Sequence, residues 1–373
     1  MEKIRTGDAI TDQQLTNVST VNAKAEAQRD GRDIGLDFVR LVAAVMVIAV
    51  HSTGEYFYHI DNGWTTVNII DSFSRICVPL FFMVSGAVLL TRKDKASKTF
   101  DRIIKFLIPL AFWSAIYLLW YHETGMLWGY SWPTAAPSLF SLSALRYFLL
   151  GPVVFHFWFL YTLMGLYIFL PVLQSFYAKS DKLQKYIYLA AWFVGASLLP
   201  TIAKTTETRW LGIDLSYFPL YAGYMLAGAV LLAITESRKL FLIGLVTYFA
   251  SSSLTALFTA IYSSTGDKTE LFYSYETTTV VIAALGAFVF LRYLGQRLPL
   301  RMQPVIKSAS VRLSFGIYIV HAIVLRYIID IFNFTQIKYA YFEIPVLIIL
   351  VFIVSGAITF AVRLLPYGNK LFP

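Results

Sequence analysis

Ten apolar runs, each about as long as a helix needs to be to cross a bilayer, follow one another along this chain. They lie near residues 36–54, 73–91, 103–121, 155–174, 185–201, 214–234, 239–262, 276–294, 312–332 and 343–364. Within hydrocarbon every backbone amide and carbonyl must find its partner inside the protein, so runs of this kind fold as helices. The composition agrees: 57% of the 373 residues are hydrophobic and only 14% are charged, against about 25% charged in a soluble domain. The fold expected is an all-α polytopic membrane protein, a bundle of about ten transmembrane helices.

The basic residues set the expected orientation. The net charge of +9 is no sign of nucleic acid, because Lys and Arg gather in short segments on alternate sides of the spans. Arg92, Lys98, Arg102 and Lys105 follow the second run, Lys179, Lys182 and Lys185 the fourth, and Arg292, Arg297, Arg301, Lys307 and Arg312 the eighth. The opposite loops hold few: Arg146, Lys204, Arg209, Lys268 and Lys338. The positive-inside rule then places both termini in the cytoplasm. Residues 1–33 carry no apolar stretch of the signal-peptide kind and read as a disordered cytoplasmic tail. Residues 34–366 form the membrane unit, and 367–373 a short cytoplasmic tail. No loop is long enough to bury a core of its own, so any chemistry belongs to the bundle. The longest outer loop, about 122–154, is rich in aromatics, among them Trp128, Tyr130, Trp132 and Tyr147. These suit a lid or an interfacial belt.

Ionisable groups inside spans are costly and mark function by default. The first run, LDFVRLVAAVMVIAVHSTG, carries Asp37, Arg40 and His51. Eleven helical steps return to within about 20° of the starting face, so Arg40 and His51 share a face roughly 16.5 Å apart along the axis. A cation near one surface and a titratable ring near the other suit an elongated reagent lying between them. Glu55 follows His51 at i,i+4, where a carboxylate could hold one imidazole nitrogen and leave the other poised as a base. Asp37 stands at i−3 from Arg40, either as a structural partner or as the group that holds a phosphate-binding guanidinium in place. Arg75, at the outer start of the second run, can pair with Glu55, meet a ligand or snorkel to the headgroups. Ser85 and Gly86 read as a close helix contact. His156, Trp158 and Tyr161 open the fourth run, where aromatic faces beside polar groups suit a sugar ring. His321, near the middle of the ninth, reads as a pocket residue.

Other chemistries find no support. There is no Walker A, no H-E-x-x-H and no dinucleotide fingerprint, and ligand-type side chains are too sparse for a metal site. The one cysteine, Cys77, excludes an intrachain disulfide and a redox pair.

These residues resemble the integral-membrane acyltransferase 3 family. Its D-x-x-R start and the His that follows in the first span are matched by Asp37, Arg40 and His51. R-x-x-V-P-x-F-F-x-x-S-G is matched by Arg75, Val78, Pro79, Phe81, Phe82, Ser85 and Gly86. H-x-W-F-L…L-Y…P is matched from His156 to Pro171, and S-F-G-I-Y-x-x-H from Ser314 to His321. The resemblance covers about residues 33–365. It implies a multi-pass protein of the bacterial inner membrane that moves an acetyl or other short acyl group. The donor would be cytoplasmic acetyl-CoA, a co-substrate, and the acceptor a hydroxyl of a surface polysaccharide or lipid-linked sugar. On that reading His51 and Glu55 are catalytic, Arg40 and Asp37 bind the donor, and Arg75, His156, Trp158, Tyr161 and His321 line the acceptor pocket. The partners implied are the acyl-CoA donor, the carbohydrate acceptor and membrane lipid, with no metal and no nucleic acid. A polysaccharide or lipid-linked sugar transporter would also explain ten spans and outer aromatics, but not the shared face of Arg40 and His51. A membrane sensor would make His51 dispensable.

Overall fold

The computed structural model describes residues 33–92, 96–124, 141–208, 219–264, 267–334 and 337–372. Among them there are helices and no strands. Among the described residues nine helical stretches are long and apolar enough to cross a membrane. The sixth apolar run gives a shorter helix of 13 residues, Leu220–Leu232. The outer-loop aromatics Trp128, Tyr130 and Trp132, and the segment before residue 33, lie outside the described residues.

The first helix, α1 (Ile34–Gly54), is the axis of the bundle. The N-cap carboxylate of Asp33 accepts from the Gly35 and Leu36 amides, satisfying donors that a helix start leaves unpaired. The same carboxylate takes Arg292 at 2.8 Å, which ties the start of α1 to a neighbouring span. A stripe of small and branched residues (Val39, Ala43, Val47, Ile48, Val50) is buried all along α1.

The second span is broken. Instead of one helix over 73–91, α2 (Trp64–Ser74) and α3 (Cys77–Leu89) meet at Arg75 and Ile76. Pro79 explains the break: it has no N–H to give to the carbonyl of Arg75, four residues earlier. Next come α4 (Ala96–Thr124), α5 (Leu142–Leu150) and a tight helical turn, Phe155–Phe157, that leads into α6 (Trp158–Lys179). A helical span with a widened turn at Val194–Leu198 joins α7 (Lys182–Phe193) to α8 (Leu199–Thr206). The rest is α9 (Leu220–Leu232), α10 (Arg238–Ser264), α11 (Thr278–Gln296), α12 (Gln303–Arg312), α13 (Ser314–Ile331), α14 (Ala340–Leu364) and a final turn, α15 (Gly368–Leu371).

Helix α1 packs against α2, α3, α11, α12, α13 and α14. A chemical group carried on α1 is therefore surrounded by protein rather than lipid. The crossing of α3 and α9 is among the closest in the bundle. A Cβ on Gly86 would sit 1.9 Å from the Met225 carbonyl oxygen, and one on Gly228 would sit 2.0 Å from that of Met83. Only glycine admits that approach, which is the role expected of Gly86. Its neighbour Ser85 turns its hydroxyl back to the Phe81 carbonyl at 2.8 Å. Large apolar side chains such as Ile168, Val246, Ile331 and Ile353 stay exposed, as on a surface that meets lipid. Residues 367–372 fold back onto the bundle, where Phe372 is buried and its ring stacks on Trp113 at 5.1 Å.

Candidate active site

Three histidines from three separate stretches of sequence meet inside the bundle. His51 stands on the last turn of α1, His156 on the turn before α6, and His321 midway along α13. The His51 and His321 rings stack with centroids 5.1 Å apart and planes 23° apart. His156 lies 4.8 Å from His321 and 6.3 Å from His51. Phe155 closes one side in an edge-to-face arrangement with His51, ring centroids 4.7 Å apart. His156 and His321 are fully buried, while His51 keeps partial exposure. Among the described residues no hydrogen bond holds the His51 ring, so both its nitrogens stay available to a reactant. The other two histidines, His59 and His122, are exposed and take no part.

Two of the three rings are held by backbone. Nδ1 of His321 meets the Tyr318 carbonyl at 2.7 Å, and Nε2 of His156 meets the Ile319 carbonyl at 3.3 Å. Tyr117, from α4, donates to the Ile319 carbonyl at 2.8 Å, and Tyr318 donates to the carbonyl of His156. Nothing in the sequence pattern picks out Tyr117. Tyr318 was within reach, because it sits one turn before His321 on the same face.

The other end of α1 carries a compact ionic group. Arg40 Nη1 lies 3.2 Å from Asp37 Oδ1 and donates to Ser310 Oγ at 3.2 Å. Ser310, on α12, donates to Asp37 Oδ1 at 2.9 Å. Asp37 is buried, while the Arg40 side chain keeps 26% of its exposure. Ser310 carries no sequence signal; it is brought in by the packing of α12 on α1.

Arg75 departs from the expected pairing. Its Nε and Nη2 grip Asp71 at 2.6 and 2.9 Å, and its guanidinium lies 4.3 Å over the Tyr273 ring. Asp71 is one turn earlier on α2, at the i,i+4 spacing that the sequence displays. A bidentate partner at that spacing costs less chain entropy than reaching Glu55 on another helix. Glu55 is likewise not joined to His51 by any hydrogen bond or ion pair among the described residues. It stands just past the end of α1, where the charges that reach it are those of Arg326 and Asp330, themselves paired at 3.2 Å. Burial pushes its carboxyl up to about 7, against the opposing pull of Arg326. The two are i,i+4, but the ring of His51 turns to His321 and Phe155 instead.

Trp158 and Tyr161, expected in the acceptor pocket, make their contacts with groups other than the three imidazoles. Trp158 stacks on Tyr275 with ring centroids 5.8 Å apart and tilts against Tyr221 at 5.6 Å. Tyr161 spends its hydroxyl on the Phe148 carbonyl at 2.6 Å, which fastens α5 to α6. Among the described residues no three His, Cys, Asp or Glu side chains converge as a metal ion would require.

A single constellation emerges: an imidazole cluster near one end of the central helix and a held arginine near the other. The sequence matches the family model described as an acyltransferase domain over residues 33–365, nearly the whole chain. Neither a curated protein nor a solved structure gives a significant match.

Proposed function

The chain belongs to the acyltransferase 3 family of membrane proteins, and from that premise we propose that it transfers an acetyl group from cytoplasmic acetyl-CoA to a hydroxyl of an extracytoplasmic carbohydrate. The observation that carries the reading is the convergence of His51, His156 and His321 around one point of the bundle. Acyl transfer to a hydroxyl needs a base beside the attacking oxygen, and a partly exposed imidazole with uncommitted nitrogens can act as one.

His51 takes the proton of the acceptor hydroxyl as its oxygen bonds to the thioester carbonyl carbon. The tetrahedral adduct then collapses, the C–S bond breaks, and the proton passes from His51 to the leaving thiolate. The products are the O-acetyl ester and free CoA. At the opposite end of α1, Arg40 meets the anionic part of the donor, with Asp37 and Ser310 holding the guanidinium in place. An extended pantetheine arm is as long as about five residues of extended chain, roughly 16–18 Å. The eleven residues from Arg40 to His51 rise about 16.5 Å. The match lets the phosphates stay at one mouth while the thioester reaches the imidazoles.

The sidedness follows from the basic loops. In oriented vesicles, labelled acetyl-CoA supplied on the cytoplasmic face acylates carbohydrate on the other face, and acetyl-CoA on the outer face does not. A cysteine replacing the exposed Ser97 reacts with an impermeant reagent only from inside, once buried Cys77 has been substituted. Labelling of Ser97→Cys from outside overturns the donor path.

A further inference from the structure

The backbone contacts of the two buried histidines fix more than their positions. A carbonyl oxygen only accepts, so the ring nitrogen facing it must carry the hydrogen. His321 is therefore protonated on Nδ1 and His156 on Nε2. A neutral imidazole has one N–H, which leaves Nε2 of His321 and Nδ1 of His156 as bare acceptors. Both atoms are buried and have no hydrogen-bond partner among the described residues. Their residues are 0% and 2% exposed.

Buried acceptors left unmet are rare and cost stability. Here two occur with ring centroids only 4.8 Å apart. Neither can satisfy the other, since both offer lone pairs. His51 does not cap His321 either: the two rings lie nearly parallel, face over face, so no in-plane N–H is aimed at the bare nitrogen. Tyr117 and Tyr318 have already committed their hydroxyls to backbone carbonyls. The pair thus asks for two hydrogens from outside. A phosphate or carboxylate oxygen would bring lone pairs against lone pairs. A neutral group with two O–H donors fits.

We infer that His156 and His321 read two hydroxyl hydrogens of a neutral polyhydroxyl acceptor and so hold the attacking oxygen beside His51. The inference rests on the acyl-transfer reading above and narrows its acceptor: the portion at the cluster is an uncharged sugar diol, not an acidic or phosphorylated position.

Two near-isosteric changes separate this role from a structural one. The Asn amide nitrogen in His321→Asn overlays Nδ1 and keeps the bond to Tyr318, but deletes the bare Nε2. The Gln amide nitrogen in His156→Gln approaches the place of Nε2 and keeps the bond to Ile319, but deletes the bare Nδ1. The full-length variants are expressed in membranes that contain the native acceptor. Acetyl transfer from labelled acetyl-CoA to carbohydrate is measured there, and acetyl-CoA binding is measured on the purified proteins. Each variant is expected to bind acetyl-CoA within twofold of wild type and to lose at least tenfold in transfer. Binding intact with a smaller loss of transfer means the rings serve only their carbonyl bonds or a trapped water, and overturns the inference. Wild-type protein that moves no acetyl group defeats the acyl-CoA reading itself and this one with it. Nitrogen-15 spectra of histidine-labelled wild type in nanodiscs give a check that does not depend on the variants folding. Opposite tautomers for His156 and His321 are expected, and a shared tautomer overturns the assignment.

Discussion

Replacing His51 by alanine should separate catalysis from folding more cleanly than any other change in the cluster. The ring makes no hydrogen bond among the described residues, so its removal orphans no partner. What is lost is packing, chiefly the edge-to-face contact with Phe155 and the stack on His321, with ring centroids 4.7 and 5.1 Å from that of His51. For a partly exposed ring that amounts to about 1–2 kcal/mol of stability, below the cost of truncating a fully buried aromatic. Loss of a general base removes about 10²–10⁴ in rate. At about 1.4 kcal/mol per factor of ten, that is roughly 3–5 kcal/mol of transition-state stabilisation. The kinetic effect therefore exceeds the effect on the fold. The assay pairs two measurements on one preparation: labelled acetyl transfer in membrane vesicles and thermal unfolding of the purified protein in detergent. A small downward shift in the melting midpoint with transfer reduced at least a hundredfold is the expected pattern. A His51→Ala protein that stays folded and transfers at more than a tenth of the wild-type rate would refute the base assignment.

Three further changes probe the supporting groups. Arg40→Lys keeps the charge but loses the planar fork, so acetyl-CoA binding to purified protein should weaken about tenfold; a stable Arg40→Ala protein with normal binding would confine Arg40 to its contacts with Asp37 and Ser310. Asp71→Asn strands the Arg75 guanidinium inside a span, and breaking a buried pair costs about 3–5 kcal/mol; the melting midpoint should fall sharply, and an unchanged midpoint would show that the pair is not holding α2 to α3. Glu55 should make stability depend on pH: its folded carboxyl is raised to about 7, so its contribution is full below the ordinary carboxylate range and is lost as pH rises toward and through 7. Wild-type stability should drop between pH 5 and 8 relative to Glu55→Gln by about 1 kcal/mol, after allowing for its partial exposure to solvent, and parallel pH curves for the two proteins would contradict the burial of this carboxyl.

What was legible in the sequence is what the bilayer dictates. Hydrocarbon leaves the backbone no choice but helices, so the helical class and the approximate number of spans follow from apolar length, and the few ionisable groups inside the first run mark it as a candidate site. The sixth run was seen as a span, although its helix, Leu220–Leu232, is short. Short-range pairs follow the period of a helix, and Asp37 with Arg40 was read that way. Asp71 with Arg75 has the same kind of spacing, but Asp71 lies before the apolar run that begins near residue 73, on a more polar helix that hydropathy alone does not mark.

Only the tertiary structure decided which groups from distant stretches meet. His51, His156 and His321 are separated by about a hundred residues or more, and no local period relates α1, the turn before α6 and the middle of α13. Their convergence depends on the crossing angles and small-residue contacts that set how the helices pack. The same holds for Ser310 on Arg40 and Tyr117 behind His156. It also decided against the Glu55–His51 contact. The i,i+4 spacing brings two side chains to one face of a helix but does not aim them, and the rings of Phe155 and His321 supply the surface against which His51 turns. The carbonyl that meets His156 is likewise beyond any sequence pattern, because Ile319 lies on a helix distant in the chain, whereas the one that meets His321 belongs to Tyr318 on its own helix.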